Sequence, residues 1–151
     1  MNKRGIALAV TVGAFWLCLV PGPVAAQASE AQIEDLVSFF EFSDDAGGML
    51  LPRQVTPELR AGMIFVDVRP RAQYARSRIP GARHMDWKQV LKRRAEFPKD
   101  KTVVFYCNTG AHSSQVAFAM RYAGWERALV LVGGLEAWKA HGHALDEQPL
   151  P

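Results

Sequence analysis

Cys107 is the residue on which chemistry can be built. It stands in 105-FYCNTGAHSSQ-115, directly after the apolar run Val103 to Tyr106 and ahead of a segment of helical character from Ser113. A thiol so placed meets the N–H groups of a small-residue loop and the positive end of a helix dipole. Both favour thiolate over thiol and lower the pKa below its usual value of about 8.5. A thiolate is a competent nucleophile, whereas a cysteine packed inertly in the core is the plain alternative. Gly110 lets the loop curl, and Ser113 and Ser114 can cap the helix or donate to an anion. Asn108, Thr109, Gly110, Ala111, His112 and Ser113 are therefore the candidate anion-binding residues, and His112 is also a candidate base or cation beside the thiol. A phosphate-binding Cys-x5-Arg loop needs Arg at position 113; Ser113 stands there, and that reading lacks its cation.

The elements that position this loop follow from periodicity. The runs 63-MIFVDV-68, 101-KTVVFY-106 and 128-ALVLV-132 are short and almost continuously apolar, as strands buried on both faces are. Between them lie amphipathic segments: 56-TPELRAG-62 with Thr56 as cap and Pro57 at the first turn, 87-WKQVLKRR-94 after Asp86, 113-SSQVAFAMRYAG-124 ending at Gly124, and 135-LEAWKAHG-142. Strands alternating with helices predict an α/β fold with a central, mostly parallel sheet covered by helices on both faces. Ligands of such sheets bind beyond the carboxyl ends of the strands, where Cys107 falls. A further amphipathic helix is expected over 29–42, with Ser29 as cap and Ile33, Leu36, Val37 and Phe40 on one face, followed by the linker 43-SDDAGGML-50.

The chain opens with Lys3 and Arg4, an apolar run from Ile6 to Val20, a Pro21-Gly22-Pro23 break and small residues to Ala28. This is the layout of a secretory signal peptide, with cleavage expected after Ala26. As a helix the apolar run reaches about 22 Å, short of the roughly 30 Å hydrocarbon core, so no stable membrane span is expected after cleavage. The expected destination is periplasmic or secreted, and the expected organisation is signal peptide 1–26, helix and linker 27–48, and one domain over 49–151. Loss of residues 1–26 sheds Cys18, Lys3 and Arg4 but no acid, so the formal charge falls from +3 to +1. No nucleic-acid partner follows from such a balance. Cys107 is then the only thiol, which excludes an internal disulfide framework. His141 and His143 have the spacing of a metal pair but no further ligands, so no metal site is assigned.

Several of these segments together resemble the rhodanese family of sulfurtransferases, over about residues 53–145. Val66-Asp67-Val68-Arg69 resembles the family's first strand and its Asp-Val-Arg end, with Gln73-Tyr74 where the family usually has Glu and an aromatic residue. Arg78-Ile79-Pro80-Gly81-Ala82 is similar to its Gly-His-Ile-Pro-Gly-Ala turn, Val103 to Cys107 to its cysteine-bearing strand, and Val132-Gly133-Gly134-Leu135 with Trp138 to its closing Gly-Gly and Trp. The resemblance implies a persulfide cycle. Cys107 takes the outer sulfur of a small anionic donor such as thiosulfate and passes it to a thiol or cyanide, with no metal or organic cofactor. It also implies that Asp67 and Arg69 brace the active loop.

Asn108 and His112 depart from the pattern, since thiosulfate-using loops often carry Arg or Lys at those places. Residues 60–101 hold 12 Lys or Arg against four Asp or Glu, a cationic surplus that either attracts an anion or forms a solvated basic face. Two other functions stay open. One is a rhodanese-like binding or regulatory module with little turnover, which could meet a protein partner through the N-terminal helix. The other is a periplasmic thiol redox protein, whose only disulfides would be intermolecular. Trp87, Trp125 and Trp138 are expected to be packing residues, and Arg78 a surface one.

Overall fold

A computed structural model describes residues 27–44 and 47–148. The expected signal segment and its cleavage site lie outside these residues. The expected parallel sheet is present. Its strands are β1 (Met49–Leu50), β2 (Met63–Asp67), β4 (Arg83–His84), β5 (Thr102–Tyr106) and β6 (Ala128–Leu131), in the order β1-β6-β5-β2-β4 with every pairing parallel. A small antiparallel strap joins β3 (Ser77–Arg78) to β7 (Asp146–Glu147). The helices are α1 (Glu30–Glu41), α2 (Pro57–Ala61), α3 (Arg71–Arg76), α4 (Trp87–Val90), α5 (Ala111–Tyr122) and α6 (Gly134–Ala140).

The apolar runs are continuous because both faces of the sheet are covered. Along β5, Val103, Phe105 and the following Cys107 enter one core with Val66, Val68, Val90, Val116, Ala117 and Met120; Val104 and Tyr106 enter the other with Phe65, Ile79, Leu131, Leu135 and Trp138. The side-chain period of 2 along the strand therefore assigns Cys107 to the face carrying α4 and α5. Trp125 and Trp138 are buried, as expected, and their indole N–H groups donate to the carbonyls of Phe97 and Ala144.

Two expected elements differ in extent, and the burial of a third is slight. α5 begins at Ala111 rather than Ser113, because its N-cap is Gly110 in a left-handed conformation (φ 101°) and not a serine. Ser113 and Ser114 are thus inside the first turn, where the Ser114 hydroxyl donates to the Ala111 carbonyl. The helix expected over 87–94 ends at Val90 and gives way to turns and a 3-10 segment at Arg94–Glu96. The consecutive Lys92-Arg93-Arg94 charges have no counter-charge within that turn until Arg93 pairs with Glu96. α1 has its expected Ser29 cap, which forms a capping box with Gln32, but none of its residues is buried. It docks through Phe39, edge-on to Phe118 and Tyr122 at 5.5 and 5.6 Å, and through Phe40 stacked on Phe118, while Ile33, Val37 and Phe40 stay largely exposed.

This division of burial sets the energetics. Phe105→Ala should cost about 3–5 kcal/mol in urea denaturation, since a fully buried ring on the central strand would leave a cavity. Ile33→Ser on α1 should change stability by less than about 0.5 kcal/mol.

Candidate active site

Because all strands of the main sheet are parallel, the segments leaving their carboxyl ends gather along one edge. They enclose a cavity of about 530 Å³. Val68, Arg69, Pro70 and Gln73 come from the segment after β2, and Asp86, Trp87 and Lys88 from that after β4. Cys107, Asn108, Thr109, Ala111 and His112 follow β5, and Glu136 follows β6. A larger cleft of about 870 Å³ lies between α1 and α5, but no thiol lines it.

The loop's shape is imposed from behind. Its carbonyls at Cys107 and Asn108 accept hydrogen bonds from the N–H groups of Leu135 and Glu136, at 2.8 and 3.0 Å, in the first turn of α6. The approach requires Gly134, where an added Cβ would lie 2.4 Å from the Cys107 oxygen and 2.6 Å from that of Asn108, at a φ of +58°. With those carbonyls turned toward α6, the N–H groups of the same two peptide units, those of Asn108 and Thr109, point the other way. The Gly110 N–H donates to Cys107 Sγ at 3.2 Å, and the Ser113 hydroxyl lies 3.6 Å from it. That hydroxyl also sits 3.1 Å from the Gly110 carbonyl and has one proton to give to either acceptor. Burial pushes the thiol up. The Ser113 N–H and hydroxyl and the N–H groups of Thr109 and Gly110 outweigh that effect and hold its pKa below the ordinary value.

Asp67 and Arg69 form the bracing pair on the second side. The Arg69 guanidinium holds the Asp67 carboxylate in a fork, with Nε at 2.9 Å from one oxygen and a terminal nitrogen at 2.6 Å from the other; both residues are buried. The same guanidinium donates to the Ser77 carbonyl and to Asn108 Oδ1, and the Asn108 amide donates to Gln73. Asn108 is in this way tied into the scaffold. Beneath the pair, the Tyr106 hydroxyl accepts the Ile79 N–H. Burial, then the Asp67 charge, push the Tyr106 pKa far up, so it stays neutral.

The candidate residues 107–113 are thus brought together with Asp67 and Arg69, in different roles. Ser113 faces the sulfur. His112 instead stacks on Trp87, with ring centroids 4.9 Å apart, and forms no hydrogen bond to the thiol, so the base reading lacks a contact. His143 stacks on Trp138 and bonds the Pro52 carbonyl, and His141 bonds the Ala137 carbonyl; among the described residues no metal-ligand cluster is found. Arg78 lies over the Tyr74 ring and pairs with Asp146. Sequence reasoning missed the walls supplied by Asp86, Trp87, Lys88 and Glu136. Their position just after β4 and β6, on the edge that carries Cys107, is the signal that points to them.

A parallel sheet that presents one thiol at its carboxyl edge, in a loop of converging amides, defines a cysteine-loop α/β domain. Residues 52–141 match the family model described as Rhodanese-like domain, and the chain belongs to the rhodanese family. It is 39% identical over 80 residues to a sulfurtransferase of Allochromatium vinosum, covering 53% of this chain and 75% of that one. It is 32% identical over 79 residues to the thiosulfate sulfurtransferase GlpE of Coxiella burnetii, covering 52% and 74%. Among solved structures, the rhodanese-like domain of an Anabaena protein superposes with a TM-score of 0.61 at 27% identity, over 67% of this chain and 80% of that one. A rhodanese-related protein of Thermoplasma volcanium shares the fold, with a TM-score of 0.61 at 15% identity over 67% and 99%.

The lowered thiol pKa has a measurable sign. Alkylation of Cys107 by iodoacetamide should accelerate as pH rises through a midpoint below that of an ordinary cysteine thiol, because only the thiolate reacts. Ser113→Ala should move that midpoint upward by removing a donor that favours the thiolate.

Proposed function

We propose that this protein is a sulfurtransferase in which Cys107 carries sulfane sulfur as a persulfide. The observation that supports the reading best is the sulfur at the floor of an open cavity, facing the Gly110 N–H and the Ser113 hydroxyl with its pKa lowered. The sulfurtransferase relatives agree with it. In the proposed cycle the Cys107 thiolate attacks the outer sulfur of a donor. An S–S bond forms between Cys107 Sγ and that sulfur, the donor's own S–S bond breaks, and its electron pair leaves with the donor remnant, which for thiosulfate is sulfite. A thiol or cyanide then attacks the outer sulfur of the persulfide and regenerates the thiolate. The loop amides and the Ser113 hydroxyl stabilise negative charge on both species, and no metal or organic cofactor is called for. Arg69 and Asp67 act as positioning residues through Asn108. The basic, apolar and small-residue order of residues 1–26 supports action in the periplasm or outside the cell.

A second reading, a rhodanese-like module that binds a protein partner with little turnover, draws on Ile33, Val37 and Phe40, exposed together on α1. One experiment separates the two. Intact mass of the purified protein before and after thiosulfate or an organic thiosulfonate should show the gain of one sulfur atom, reversed by cyanide and absent in Cys107→Ala. A Cys107 that iodoacetamide alkylates but no donor loads would overturn the sulfurtransferase reading in favour of the module.

A further inference from the structure

The cavity around Cys107 has a neighbour on the far side of Trp87. Trp87 and Lys88 also line a second, mostly apolar groove of about 330 Å³, completed by Leu91, Gln115, Val116 and Ala119. Ala111, Gln115 and Ala119 follow one another at intervals of four on α5, so the groove continues the wall that begins at the active loop. Trp87 stands at the junction, its ring fixed against His112.

The charges of the cavity point the same way. Its cations are Arg69 and Lys88, and its acids are Asp86 and Glu136, which cancel while His112 is neutral. Arg69 is moreover committed to Asp67, Ser77 and Asn108. A dianion such as thiosulfate meets no surplus of positive charge, whereas a monoanion with an apolar substituent is met by the loop amides at one end and the groove at the other.

We infer that the groove of Trp87, Leu91, Val116 and Ala119 is a substrate subsite, which selects donors whose sulfane sulfur is attached to an organic group over inorganic thiosulfate. The class is R–SO2–S⁻ or R–S–S⁻. The Cys107 thiolate attacks the terminal sulfur, a new S–S bond forms as the old one breaks, and the electron pair leaves on R–SO2⁻ or R–S⁻, so charge is conserved. This inference rests on the sulfurtransferase reading.

The test is single-turnover loading of Cys107, followed by intact mass, with the straight-chain series from methane- to hexanethiosulfonate and with thiosulfate. The second-order loading constant should rise about two- to fourfold for each methylene that reaches the groove, and hexanethiosulfonate should exceed thiosulfate. Leu91→Glu, at a partly exposed position, and Ala119→Phe, which fills the groove, should each flatten that rise when normalised to methanethiosulfonate. A flat series in the unaltered protein, or an equal rise in both variants, would overturn the subsite while leaving persulfide chemistry intact. Failure of every donor to load an alkylatable Cys107 would overturn the sulfurtransferase reading and the subsite together.

Discussion

The site depends on the capture of two loop carbonyls by the first turn of α6. A trans peptide unit points its C=O and its N–H in opposite directions, so turning the Cys107 and Asn108 carbonyls onto the N–H groups of Leu135 and Glu136 turns the N–H groups of Asn108 and Thr109 the other way, and that of Thr109 is among those that lower the thiol pKa. Gly134 makes this approach possible, because any Cβ there would overlap both oxygens. Gly110 completes the arrangement from the other side: its left-handed conformation reverses the chain into α5 and aims its own N–H at Sγ. The electrostatic environment of the thiol is therefore set by main-chain N–H groups and one neutral side chain, the Ser113 hydroxyl. It needs no charged side chain in the loop, which agrees with the presence of Asn108, Thr109 and Ala111 there.

Much of this was legible in the sequence, for identifiable reasons. Strands β2, β5 and β6 announce themselves because burial on both faces makes their runs continuously apolar, and the place of Cys107 follows from β5 alone. Thr56 and Ser29 were readable as caps because their side chains accept helix N–H groups. The start of α5 was not. A glycine N-cap offers no side-chain signal, and two serines three residues later imitate one. Ser113, a candidate donor from its place in the loop, faces the thiol from within the helix instead of closing its end. The cavity walls were obscure for another reason. Asp86, Trp87 and Glu136 are remote from Cys107 in the chain, and only the sheet order β6-β5-β2-β4 makes them neighbours.

α1 illustrates the limit of periodicity as a guide to packing. Its apolar spacing identifies a helix correctly, yet which apolar residue meets the body depends on what α5 presents. Phe118 and Tyr122 recruit the edge of Phe39, and Phe118 the face of Phe40, so the stripe of Ile33 and Val37 faces outward. The acidic residues Glu30, Glu34, Asp35 and Glu41 on the same helix keep that apolar face in a strongly anionic setting.

The buried Asp67–Arg69 pair is better understood as a positioning device than as a source of stability. Taking both charges out of water costs several kcal/mol per ion, and their attraction offsets this only with good geometry and additional hydrogen bonds. Here the carboxylate is held in a fork and also accepts the Arg69 N–H. The guanidinium spends its remaining donors on the Ser77 carbonyl and Asn108. The first closes the connection between β2 and β4 on itself, and the second joins that connection to the segment after β5. The joining consumes the cation. An arginine so fully engaged fixes the position of the loop but adds little field for an incoming anion. The lining side chains of the pocket are consequently nearly balanced in formal charge, and the groups that face the sulfur are the Gly110 N–H and the Ser113 hydroxyl.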